Sequence, residues 1–209
     1  MKHFKLTSET KINALGVKLF RIECIIDCKW AKVGDKGGWI EKEDNLSGNA
    51  WVSGNAKVYG NAKVYDNAWV SGNAKVYGDA RVCGDAKVSG NAQIYGDAWV
   101  CDNAQVSCNA WVYGNAKVSC DAWVSGNAEV YGNAKVSGND DYCCFQTFGS
   151  ANRTTTAFKQ KDGSVAIKCG CFNGSLDDFV KQVERTHGDN KFGREYRAII
   201  EVIKAKFDL

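Results

Sequence analysis

Asn49-Ala-Trp-Val-Ser-Gly54, Asn55-Ala-Lys-Val-Tyr-Gly60 and Asn61-Ala-Lys-Val-Tyr-Asp66 open a run of one six-residue unit, Asn/Asp-Ala-x-Val-y-Gly, that continues to Gly138. Alanine recurs at every sixth position from Ala50 to Ala134. An aliphatic recurs from Val52 to Val136, with Ile94 the one departure from Val. Side chains alternate along a strand, so Ala and Val of each Ala-x-Val share one face and x and y take the other. The Gly-Asn and Gly-Asp junctions supply the backbone freedom of a tight corner. Each unit therefore reads as a short strand and a turn, with Ala and Val inside.

A longer period sets the stacking. Taken every third unit, the y positions sort into Ser53, Ser71, Ser89, Ser107, Ser125; then Tyr59, Tyr77, Tyr95, Tyr113, Tyr131; then a mixed set, Tyr65, Cys83, Cys101, Ser119, Ser137. A spacing of eighteen predicts a three-sided coil of about five turns, with like residues stacked at about 4.8 Å. Read from the valine, Val-Ser-Gly-Asn-Ala-Lys resembles the hexapeptide repeat of the left-handed parallel β-helix of bacterial acyltransferases. The left hand comes from that resemblance, since parallel crossovers otherwise favour the right. Two flanking segments, Gly37-Gly38-Trp39-Ile40-Glu41 and Gly170-Cys171-Phe172-Asn173-Gly174 with Thr186-His187-Gly188, also resemble uncharacterised hexapeptide-repeat proteins of phages and prophages.

The expected fold is thus mainly β: an N-terminal β cap (1–48), the repeat β-helix (49–139) and a small C-terminal α+β domain (140–209). The alternation from Lys18 to Ile26 reads as a strand, and Gly37-Gly38 as a turn before Trp39-Ile40. Thr154–Lys159 and Ser164–Cys171 predict a hairpin around Lys161-Asp162-Gly163. Ser175-Leu-Asp-Asp178 reads as a capping box opening a helix that stops at Gly188. A last helix is expected over roughly Arg194–Phe207, with Tyr196, Ile199, Ile200, Ile203 and Phe207 as its apolar stripe.

Composition narrows the function. The chain has 209 residues and a formal net charge of +3, spread as a surplus of two positive charges before the repeats, balance within them and one after. Such a balance makes nucleic acid an unfavoured partner. No run of about eighteen apolar residues suggests a membrane span, and Met1–Leu6 lacks the apolar stretch of a signal peptide. The ten cysteines are then expected to stay reduced in a cytoplasm. Cys143, Cys144, Cys169 and Cys171 match zinc-ligand spacing poorly and read as small hydrophobes. Cys83 and Cys101, one turn apart, come within disulfide reach under oxidation. No metal and no cofactor are expected.

Candidate chemistry falls in the flanks and on the outer faces. Histidine occurs only at positions 3 and 187. His187 either meets the C-terminal end of a helix dipole or joins Arg153, Arg194, Tyr196 and the hydroxyls of Thr154, Thr155 and Thr156 in binding an anion. Paired guanidinium groups suit phosphate oxygens, yet Thr and Arg are also ordinary on an exposed strand. The tyrosines Tyr59, Tyr77, Tyr95, Tyr113 and Tyr131 form either a stabilising ladder or an oligomer or partner face, a trimer being favoured because related β-helices form trimers. The expectation is a non-enzymatic phage or prophage binding protein of the host cytoplasm. It would counteract a host defence by sequestering a small anionic, nucleotide-like signal or by blocking a host protein. A hexapeptide-type acyltransferase and a virion structural or fibre-associated module are the alternatives.

Overall fold

A computed structural model describes residues 2–209; of the N-terminal segment, Met1 lies outside the described residues. The chain begins with β1 (Phe4–Ile12), β2 (Lys18–Cys24) and β3 (Lys36–Ile40). Fifteen two-residue strands follow at intervals of six, β4 (Trp51–Val52) through β18 (Lys135–Val136). Then come β19 (Tyr142–Phe148), β20 (Arg153–Lys159), β21 (Val165–Cys169), β22 (Phe172–Ser175), α1 (Leu176–His187) and α2 (Lys191–Phe207).

The fifteen strands form a three-sided β-solenoid of about five turns. Each of the first twelve pairs, parallel and in register, with the strand eighteen residues on, as Lys57 with Lys75 and Gln93 with Trp111. The repeat alanines and aliphatics are buried at 0–1% exposure, so the interior is a continuous column of small and β-branched side chains. The tyrosine rings stack down one face at 4.9–5.5 Å between centroids. Asparagines stack at a corner in the same way, Asn73 to Asn91 at 3.1 Å and Asn91 to Asn109 at 3.0 Å. Gly78 shows why the corners prefer glycine: its φ is +71°, and a Cβ would sit 3.0 Å from the backbone N of Gly96.

Both ends are covered. At the N-terminal end β3 joins the tyrosine-face sheet directly, Trp39 opposite Lys57 and Ile40 opposite Val58, and the antiparallel β2 and β1 extend it to eight strands. Gly37 and Gly38 are therefore buried inside a strand and do not form the turn expected for them. A Cβ on Gly37 would meet the Val52 carbonyl at 2.6 Å, and one on Gly38 the Val52 side chain at 2.6 Å. Both glycines answer a close approach of the first coil.

At the other end β19–β22 form an antiparallel sheet in chain order, including the expected β20–β21 hairpin. One face of it, through Phe158 and Ala166, completes the solenoid core. The other, through Ala157, Ile167 and Cys169, packs on α1 and α2 around Phe179, Ile199 and Ile203. The Ser175 hydroxyl accepts from the Asp178 N–H at 3.1 Å, the predicted cap of α1. The second helix starts at Lys191, a turn earlier than expected, because Asn190 accepts from the Gly193 N–H at 3.0 Å. No helix among the described residues is long and apolar enough to cross a membrane.

Candidate functional site

A pocket of about 420 Å³ opens in the C-terminal domain where the β21–β22 turn, α1 and α2 converge. Phe172, Phe179 and Tyr196 are its aromatic lining, with Cys171, His187 and Arg153 among the polar groups. The rings brace one another: Phe172 and Phe179 lie 5.1 Å apart, and Phe179 meets Tyr196 edge-on at 5.7 Å. His187 stacks on Tyr196 at 5.5 Å with 29° between planes. Burial of Tyr196 pushes its phenol up to about 12, so the hydroxyl is neutral. It lies 3.7 Å from Cys169 Sγ, which also accepts from the Thr155 hydroxyl at 3.2 Å.

Arg153 follows Asn152, which has φ +48°, and its side chain lies over Gly170, φ +57°, where any Cβ would collide with it. Glycine is favoured at 170 by the left-handed backbone. His187 ends α1 beside Arg185 in its last turn, a position favourable to positive charge. The stacking on Tyr196 also brings the same ring to the lining of the pocket.

The other anticipated residues are elsewhere. Thr155 and Thr156 are buried in β20 on opposite faces: Thr155 serves Cys169, and Thr156 accepts from the Glu129 N–H of the last coil at 3.3 Å. Thr154 is half-buried beside them and does not line the pocket. Arg194 is exposed in the first turn of α2 and donates to the Asp189 carbonyl at 2.7 Å. The early start of α2 points it at the α1–α2 loop, so the expected fork of two guanidinium groups is not assembled at the pocket.

Arg197, which the sequence did not single out, ties that loop together through Glu184 at 2.9 Å and the Gly188 carbonyl at 3.0 Å. Phe172, Phe179 and Cys171 were likewise missed as lining. The signal lay in the sequence: Cys171-Phe172-Asn173 and Thr186-His187 are the two parts of the second flank segment noted above, and the fold brings them to one pocket.

The cysteines are free thiols, Cys83 and Cys101 included. Cys143 and Cys144 pack on opposite faces of β19, one against the helices and one against the solenoid, so they cannot share a ligand. No group of three or more metal-ligating side chains converges among the described residues. The tyrosine ladder uses its ring faces on itself, leaving edges and hydroxyls outward; Tyr113 donates to Glu129 at 3.1 Å. Trp99, Trp111 and Trp123 are the exposed aromatics of the coils.

The chain is similar to one known family: a model described as the YdcK beta solenoid repeat matches residues 56–72 and 92–108. Each matched stretch is just under one eighteen-residue turn, so the likeness lies in the coil. No curated protein matches the chain.

Proposed function

We propose that this is a non-enzymatic binding protein whose C-terminal pocket captures a small planar anion of the nucleotide class. The observation that carries the reading is one pocket with a guanidinium and an imidazole beside an aromatic wall. Arg153 and His187 offer charge-assisted hydrogen bonds to phosphate oxygens. Phe172 and the stacked His187–Tyr196 pair offer surfaces to a base. The volume of about 420 Å³ falls within the roughly 300–1,000 Å³ of small-molecule sites.

The solenoid, in this proposal, is a rigid body that supports the pocket and presents an outer face for self-association as a trimer. The setting is a phage or prophage protein in the host cytoplasm that withdraws a host defence signal; it rests on the resemblance of the flank segments, the second of which lines this pocket.

The test is calorimetric titration of the full chain with a panel of linear and cyclic nucleotides, together with mass spectrometry of anything released on heating the purified protein. Binding that Arg153→Ala weakens at least tenfold supports the reading. Failure of every nucleotide to bind, with nothing released, overturns it.

A further inference from the structure

The outward row of the tyrosine-face sheet places Arg21, Trp39, Lys57 and Lys75 at directly paired positions on β2, β3 and the next two rungs, Lys57–Val58 and Lys75–Val76. Rungs stand about 4.8 Å apart, so three cations share a strip about 15 Å long. A fourth comes from the β1–β2 hairpin: Lys11 Nζ lies 3.9 Å from the centre of the Trp39 ring, and Arg21 Cζ lies 5.1 Å from it.

None of these four cations has an ion pair among the described residues. Glu9, whose field reaches Arg21, is engaged by Lys36. Glu41, which follows β3, accepts from the Gly60 N–H at 2.6 Å. Like charges set opposite each other weaken a sheet. Burial, with Lys57 and Arg21 nearby, pushes the Lys11 ammonium down to about 8.

A second observation lies at the same place. Three side-chain nitrogens among the described residues are buried without a hydrogen-bond partner: Asn13 Nδ2, Arg21 Nε and Trp39 Nε1. All three belong to this hairpin and its row. Asn13 Oδ1 accepts from the N–H groups of Leu15 and Val17 at 2.9 and 3.0 Å, which settles that the amide nitrogen is the end left over. Asn13 lines a groove of about 250 Å³ under the hairpin tip with Leu15, Lys57, Tyr59, Lys75 and Tyr77. Buried donors are ordinarily satisfied, and here each orphan is a donor and each unpaired charge is positive. Of these groups Asn13 Nδ2, Lys57 and Lys75 belong to the groove itself, and what they lack is an acceptor carrying negative charge.

We propose that the groove beneath the β1–β2 hairpin is a second ligand site, independent of the C-terminal pocket, which takes a compact, multiply charged oxyanion of phosphate chemistry. Asn13, Lys57 and Lys75 line it, and Lys11, Arg21 and Trp39 adjoin it on the N-terminal side. The groove is smaller than the roughly 300–1,000 Å³ that holds a drug-sized molecule, and Lys11 already lies over the Trp39 ring. Recognition is therefore of the phosphates, from an inorganic chain or from an ester.

Calorimetry of the full chain with sodium tripolyphosphate tests this. Wild type binds one equivalent, Lys57→Gln/Lys75→Gln binds at least about tenfold more weakly, and Lys117→Gln/Lys135→Gln, which removes the same charge from another face, stays within about twofold. Because the anion favours charged Lys11, binding takes up a proton and weakens between about pH 8 and 10.5, seen as a dependence of the heat on buffer ionisation. A nucleoside triphosphate titrated into Arg153→Ala, which disables the C-terminal pocket, separates the sources: equal affinity assigns the site to the phosphate chain alone, tighter binding to an ester, and in both cases Lys57 and Lys75 are required. The proposal is overturned if tripolyphosphate does not bind. It is also overturned if both double variants lose binding equally, which is net charge alone, or if Lys57→Gln/Lys75→Gln binds as wild type, which puts the anion elsewhere.

Discussion

The side-chain amide of Asn45 donates to the carbonyl of Ala62 at 2.9 Å, and to that of Gly60 at 3.1 Å. The direction of these bonds follows from the polarity of the coil. Besides the ladder bonds between paired strands, backbone N–H groups of each turn donate to the next turn, as Trp51 to Ala68 and Lys57 to Ala74. At these positions the first turn leaves carbonyls and the last turn leaves N–H groups. The N-terminal segment answers with donors, the Asn45 amide and the Trp39 N–H to Ala56. The C-terminal segment answers with acceptors: Asn139 Oδ1 for the Trp123 N–H at 2.9 Å, Asp141 for Ser137 at 2.9 Å, and the Thr156 hydroxyl for Glu129.

Asn45→Leu keeps the branched shape of a fully buried side chain but leaves the buried Ala62 carbonyl and the half-buried Gly60 carbonyl unpaired. A loss on the order of 2–4 kcal/mol is expected, from about 1–3 per orphaned group. Urea denaturation followed by circular dichroism measures it. A change under about 0.5 kcal/mol would mean that the open edge tolerates water.

Inward and outward positions should respond oppositely to substitution. Ala92 is 0% exposed in the column, so Ala92→Leu overpacks it and costs about 1–3 kcal/mol or more. Lys75→Ala on the outer row stays within about 0.5 kcal/mol. The same denaturant titration decides, and equal losses for the two would contradict the side-chain facing described above.

The tyrosine ladder predicts an alkaline transition. Burial pushes Tyr59 and Tyr95 up to about 12 from an unfolded value of 10. Below about pH 10 the phenols are neutral in both states and stability is complete; between pH 10 and 12 only the unfolded chain ionises them, so stability falls as pH rises. Tyr59→Phe/Tyr95→Phe should flatten that fall, read from thermal melts across the range with phenolate absorbance tracking ionisation. A slope unchanged by both substitutions would place the pH dependence elsewhere.

For the C-terminal pocket, the two arginines are expected to separate. Arg153→Ala should weaken nucleotide binding by about tenfold to a hundredfold, the loss of a charged hydrogen bond. Arg194→Ala, which touches only the Asp189 carbonyl at the surface, should leave affinity unchanged. Calorimetry on both variants gives the answer, and the reverse order would move the anion to the α1–α2 loop.

Most of the solenoid was determined by the sequence alone, because its information is local and repeated. Ala50 to Ala134 at every sixth place state which side chains go inward, and the serine and tyrosine sets state which strands stack. The hairpin at Asp162 and the cap at Ser175 were legible for the same reason, since turn and cap chemistry act over a few residues. The sites depend on contacts between distant segments. That Thr156 closes the last coil, that Arg194 faces a loop, and that Phe172 and His187 line one pocket follow from how β20, α1 and α2 pack across the sheet. Gly37 and Gly38 make the same point at the other end: as a dipeptide they read as a turn, but the backbone of Val52 approaching from the first coil makes them strand residues. Short-range chemistry is written in neighbouring letters, whereas a buried donor left without an acceptor, such as Trp39 Nε1, exists only once the tertiary structure has closed around it.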